Sequence, residues 1–182
     1  MTFQVTPGYG ASIATEVRGN AHHQLVVSHQ NLARTQVNPA ISASVYGTGV
    51  FIGSELTLAN ATRLAGELSR IKQVQVGLKY GSALVLGAFD IIFYSSITTA
   101  PVDKAALDLT PSEIANIYGV LSVPTSGYVD IDGCKLSTIS TDIVIQSPSS
   151  ESSVKAAIVS RSTTFRPATV DGLYLTVLFE RT

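Results

Sequence analysis

Hydrophobic and polar positions alternate most regularly in residues 72–96, KQVQVGLKYGSALVLGAFDIIFYSS. Val74, Val76 and Leu78 take turns with Gln73, Gln75, Gly77 and Lys79, the period of two expected of a strand with one face in the core and one in water. After Gly81-Ser82, residues 83–94 are almost continuously apolar, with Asp90 their only charge. Such a run suits a central strand buried on both faces. The two stretches are expected to form a hairpin, turning at Gly81-Ser82, in the middle of an all-β sandwich.

The remaining pattern is also mostly of strand type. Strands are expected over 13–17 and 21–29, with Arg18-Gly19-Asn20 as the turn between them. Residues 30–54 carry little charge and several glycines, and read as irregular, with one or two short strands around 44–50. Residues 56–68 are ambiguous between a short helix and strand plus loop, and a strand starting near Glu67 is favoured. Further strands are expected at 120–124, 128–131, 136–146, 154–163 and 173–179. Asp132-Gly133, Ser147-Pro148 and Asp171-Gly172 supply turns or breaks. The clearest local signal is Thr110-Pro111-Ser112-Glu113. Thr110 can cap a helix, Pro111 fits its first position, and Glu113 completes a capping box. A two-turn helix over 112–118 follows, with Ile114, Ile117 and Tyr118 inward and Gly119 as its stop. The division expected is an extended arm, 1–12, and one β-sandwich domain, 13–182. The domain is all-β and antiparallel with one short helix.

Composition narrows the function classes. Charged residues make up 14% of the 182, against about 25% in typical soluble chains. A chain this poor in charge is expected to hide surface in an assembly. The net charge of −1 and the absence of a basic run argue against nucleic acid as a partner. The longest apolar run, 83–89, is too short to span a membrane. The N-terminal MTFQVTPGYGAS lacks the basic and apolar regions of a signal peptide. Cys134 is the single cysteine, so no intramolecular disulfide can form.

Candidate chemistry is sparse. His23 and His29 share a strand face, but six residues place them about 20 Å apart, too far to ligate one metal. Cys134 has no sequence-adjacent base. The glycines at 47, 49 and 53 have the wrong spacing for a nucleotide loop and read as turn or bulge positions. Asp130-Ile131-Asp132-Gly133 starts like a calcium loop, but no glutamate follows at the bidentate position. Asp90, Asp103, Asp108, Glu113, Asp130 and Asp132 offer formal acid pairs. Asp90 is expected instead to be paired by an arginine or hydrogen-bonded at a strand end. No catalytic residue, cofactor or metal ligand is expected, and the chain reads as non-enzymatic. A carbohydrate-binding sandwich is an alternative, weakened by the absence of tryptophan.

Four stretches together resemble a family of virion structural proteins of tailed bacteriophages, whose better-known members are head decoration or cement proteins. They are ASIATEVRGNAH at 11–22, AFDIIFY at 88–94, LDLTPSEIANIYGV at 107–120, and VKAAIVSRSTT at 154–164 followed by LYLTVL at 173–178. Their order and spacing match across most of the chain. The chain departs from the family at His22-His23, across 30–54, and at its last four residues. The resemblance implies a jelly-roll-like sandwich that assembles, often as a homotrimer, on the major capsid protein of a head shell, after synthesis in the host cytoplasm. The segments expected to grip the shell are the arm and the stretch 30–54, with Phe3, Val5 and Tyr9 of the arm as anchors. The alternative within the virion is a tail, baseplate or fibre component.

Overall fold

The computed structural model describes the backbone of residues 4–5, 13–18, 21–25 and 31–181, and the side chains of 32–181. The chain forms two compact units, Met1–Asn31 and Leu32–Thr182. In the first unit β1 (Gln4–Val5), β2 (Ile13–Arg18) and β3 (Ala21–Leu25) make an antiparallel sheet in that order. Strands on either side of position 12 therefore pair, Val5 opposite Ile13.

The second unit is an all-β sandwich. Its strands are β4 (Asn31–Val37), β5 (Leu56–Leu58), β6 (Leu68–Lys79), β7 (Phe89–Tyr94), β8 (Ile117–Val123), β9 (Val129–Ile131), β10 (Cys134–Gln146), β11 (Val154–Ser160) and β12 (Leu173–Arg181). One sheet runs β4-β12-β6-β10-β9 and the other β5-β11-β7-β8. The pairing is nested: β4 lies beside β12, β5 beside β11, β6 beside β10, and β7 beside β8. A long antiparallel ribbon wrapped over a core gives this order, which is that of a jelly roll with two Greek keys. The short β9 is an addition in the β8–β10 connection.

The expected central hairpin does not exist. Strands β6 and β7 belong to opposite sheets, and residues 80–88 carry the chain between them. Gly81 opens a turn, where its carbonyl accepts from Leu84 N–H at 2.9 Å. Val85 then bridges Arg166, and Gly87 packs so closely on Phe165 that a Cβ there would stand 2.6 Å from Phe165 Cβ. Both strands nevertheless have the burial their patterns predicted. On β6, Ile71, Val74, Val76 and Leu78 are buried between half-exposed neighbours, and all of β7 is buried. The core between the sheets joins these residues to Tyr46, Phe89, Phe93, Phe165, Leu175, Val177 and Phe179.

Total burial of β7 has a second cause. Ile92 and Tyr94 point away from the main core into a smaller cluster with Phe51, Ala157 and Val159. Ile97, Leu107 and Ile117 pack onto it. The segment between β7 and β8 thus covers the outer face of the four-stranded sheet. It is held by Phe51 N–H to the Ala105 carbonyl at 2.9 Å and Leu107 N–H to the Gly49 carbonyl at 2.8 Å.

The helix is also shorter than expected. Only Pro111–Ile114 (α1) is helical, with the capping box between Thr110 and Glu113 in place. Ile114 is exposed, and Ile117 and Tyr118 already belong to β8. Ile117 is drawn into pairing with Tyr94 across a register shift, which ends the helix after one turn. Residues 30–54 contain the unexpected β4, together with bridges from Tyr46 to Phe165 and from Phe51 to Val159.

Candidate functional site

The carboxylates weighed as catalytic are dispersed. Asp90, on the outer face of β7 and buried, receives both Nε and Nη2 of Arg161 at 2.5 Å and Ser122 Oγ at 2.8 Å. The arginine-paired reading of Asp90 therefore holds. Asp103 accepts from the Tyr46 hydroxyl at 2.6 Å and from Gly53 N–H at 2.7 Å. Burial, helped by that bond, pushes the Tyr46 phenol up to about 12. Glu113 accepts from the Thr110 backbone, the Thr110 hydroxyl and Thr98 N–H, and these bonds hold it down at about 2. Asp130 pairs with Lys135, while Asp108 and Asp132 are exposed.

A further polar group was invisible in the sequence. Tyr94 donates to Glu55 at 2.9 Å, and Lys155 Nζ lies 3.3 Å from the same carboxylate. Burial and that bond push the Tyr94 phenol well above its usual range. Three separate elements meet there, and nothing local marks them.

His29 and the arm residues Phe3 and Tyr9 lie outside the described residues, and His22 and His23 lie in β3 with only their backbone described. Val5 lies in β1, with only its backbone described. Cys134 is a free, half-buried thiol at the start of β10. No group of three or more His, Cys, Asp or Glu side chains suited to a metal occurs among the described residues. Nor is any helix among them long and apolar enough to cross a membrane.

The sandwich does present exposed apolar side chains at one end of the five-stranded sheet. Tyr80 is 61% exposed, Val129 64% and Val170 61%. Three backbone features gather them. Cys134 pairs with both Lys79 and Ile131, Tyr80 N–H donates to the Gly133 carbonyl at 3.0 Å, and Lys79 N–H donates to the Gly172 carbonyl at 2.8 Å. The edge strand β9 is exposed throughout, including Ile131. Charges at this end are largely paired, Lys135 with Asp130 at 2.5 Å and Lys79 with Asp171 at 3.8 Å. This arrangement suits contact with another apolar protein surface better than chemistry on a small molecule.

Comparison with known proteins adds the following. No family model matches the chain, and no curated protein matches it. Among solved structures it is similar to the VP2 subviral particle of infectious bursal disease virus, at 13% identity and a TM-score of 0.21 over 97% of this chain. The Gt strain of the same virus gives 14% identity and a TM-score of 0.21, again over 97% of this chain. The chain spans about half the length of those proteins, 49% and 50%. These weakly similar neighbours are viral capsid proteins.

Proposed function

We propose that the chain is a non-enzymatic structural protein of a virion, a decoration or cement subunit on the head shell of a tailed bacteriophage. The observation that carries this reading is the apolar end formed by Tyr80, Val129, Ile131 and Val170. Apolar side chains gathered in one place are costly in water and favour association. Copies of the chain meet there, as a homotrimer, and the assembly sits on the major capsid protein. The low charge content, the jelly-roll strand order and the four stretches resembling decoration proteins all support it. The sandwich acts as a rigid block, and arm residues such as Phe3, Val5 and Tyr9 contribute tethered contacts to the shell.

Mass analysis of purified virions, split into heads and tails, tests the placement. Presence in heads is expected. Recovery in tails alone favours the tail or baseplate alternative, and absence from virions removes the proposal. Light scattering on the eluted chain tests the trimer. Val129→Asp with Val170→Asp is expected to leave a folded monomer. A wild-type monomer at high concentration counts against the assembly surface.

A further inference from the structure

At the opposite end of the sandwich, where the two sheets part, lies an open cleft of ≈ 600 Å³. Four segments build it: the turn at Gly66, the exit of β7 at Ser95 and Ser96, Tyr118 on β8, and residues 146–149 after β10. Its size is within the range of about 300–1,000 Å³ common for small-ligand clefts. No Asp, Glu, Lys, Arg or His lines it.

The walls are cross-linked to one another. Tyr118 Oη donates to the Gln146 carbonyl, and Gln146 Nε2 donates to the Gly66 carbonyl at 3.1 Å. Ser147 Oγ accepts from Gly66 N–H at 3.0 Å and from Thr62 Oγ1 at 2.8 Å. Ser95 N–H donates to the Asn116 carbonyl at 3.0 Å. Gly66 sits at φ 80°, a left-handed conformation that glycine adopts freely, and its turn is held by Gly66 N–H to the Pro148 carbonyl at 2.9 Å. A cleft with walls fixed in this way loses little freedom when a ligand enters.

These bonds leave particular groups unused. The Gln146 side-chain carbonyl takes part in no hydrogen bond with a described residue, and neither does the exposed Ser149 hydroxyl. The Ser96 hydroxyl only accepts, from Asn116 Nδ2 at 3.4 Å, so its own proton is available. Beside these groups stand apolar surfaces, the Tyr118 and Pro148 rings. The lining thus offers neutral donors and acceptors next to ring faces. A charged ligand would surrender hydration without gaining a counter-charge. A wholly apolar ligand would strip water from hydroxyls and an amide without replacing their bonds. A neutral molecule with hydroxyls on its rim and C–H groups on its faces matches both kinds of surface.

We infer that this cleft is a binding site for a neutral saccharide, with the Gln146 amide and the Ser96 and Ser149 hydroxyls as hydrogen-bonding groups and Tyr118 as the ring platform. The site is independent of the assembly surface, which lies at the other end of the sheets. A virion protein carrying it could hold the particle to a glycosylated surface, but binding itself does not require assembly.

The test is titration of the isotopically labelled full chain, followed by its amide resonances. The probes are glucose, galactose, mannose, N-acetylglucosamine and cellobiose, with glucuronate and inorganic phosphate as charged controls. At least one neutral sugar is expected to shift the amides of Gly66, Ser95, Ser96 and Ser149 saturably, and the charged controls are not. Gln146→Ala is expected to weaken that sugar about fivefold, the worth of one hydrogen bond. If that variant loses its native spectrum, Ser149→Leu serves in its place, since it narrows the rim at an exposed residue with no bond to lose. No saturable shift with any of the five sugars overturns the inference. So do shifts confined to other residues, equal binding of glucuronate or phosphate, or undiminished affinity in the folded variant.

Discussion

Strands β6 and β7 are separated only by residues 80–88, yet β6 shows one face to water and β7 shows none. The five-stranded sheet presents Gln73, Gln75, Thr138 and Ser140 outward. The four-stranded sheet is covered outside by the segment between β7 and β8, through Ile97 and Leu107. Alternation in one strand and an unbroken apolar run in the next therefore record what lies over each sheet, not a shared pairing. The difference predicts that equivalent outward positions differ sharply in cost. Ile92→Ala on β7 should lose about 2–4 kcal/mol, as truncation of a buried aliphatic does. Gln73→Ala on β6 should stay within about 0.5 kcal/mol, as surface changes do. Urea unfolding of both variants checks this, and similar losses would show that the covering segment seals nothing.

The ion pairs on the two outer faces sharpen the contrast. Asp90 is buried under Arg161, whereas Asp142 meets Arg70 at 2.6 Å and Lys72 at 2.8 Å with about half of its side chain exposed, 52%. Arg161→Ala leaves a buried carboxylate with only Ser122 beside it, and should cost about 1–3 kcal/mol. Arg70→Ala should change stability by no more than the measurement error, because exposed pairs contribute little. Repeating both at high salt separates them further, since only the exposed network is well screened.

How much of this was legible in the sequence follows from range. Burial in β6 and β7 was legible, because it is written in each strand's own period. The strands β10, β11 and β12 were also found, to within a few residues at their ends. Pairing was not legible, because the nested order joins β4 to β12 and β5 to β11 across most of the chain. Proximity in sequence instead suggested a hairpin. The helix start was legible in Thr110 and Glu113, but its end was set by Ile117 pairing with Tyr94. Strand β4 escaped notice because its inward residues, Ala33, Thr35 and Val37, form only a weak apolar pattern. Ser95 and Ser96 read as the end of the stretch 72–96 and Ser149 as part of a break after a strand, and only the fold brings them to one cleft.

Tyr46 joins the main core to the segment covering the four-stranded sheet, through its bond to Asp103. Tyr46→Phe keeps the ring contact with Phe165 but removes that donor, and leaves Ser42 N–H without its acceptor at 2.8 Å. A loss of about 1–2 kcal/mol is expected. The phenol is raised from 10.0 to about 12 in the folded chain. Its contribution is therefore complete below pH 10 and disappears as pH rises through about 12. The wild type should weaken on the alkaline side more steeply than Tyr46→Phe. Parallel alkaline limbs would mean that burial and the bond to Asp103 together do not raise the phenol.

An effect that fades only in acid is expected at Glu113, at the far end of the same covering segment. Its carboxylate accepts from Thr98 and Thr110, and so ties the two ends of the segment together. Those donors favour the charged form, lowering the group from 4.5 to about 2. A depressed value means that the folded state holds the carboxylate ionised where the unfolded chain has taken up a proton. The stabilisation is therefore complete above about pH 4.5 and is lost as pH falls through about 2. Glu113→Gln removes that charge, so its acid limb should be shallower than that of the wild type between those values. Amide exchange gives the local reading. Faster exchange at Thr98 and Thr110 in the variant, with β6 amides unchanged, is expected if Glu113 fastens the cover of one sheet only. Equal acceleration in β6 would show that the cover and the five-stranded sheet open as one unit.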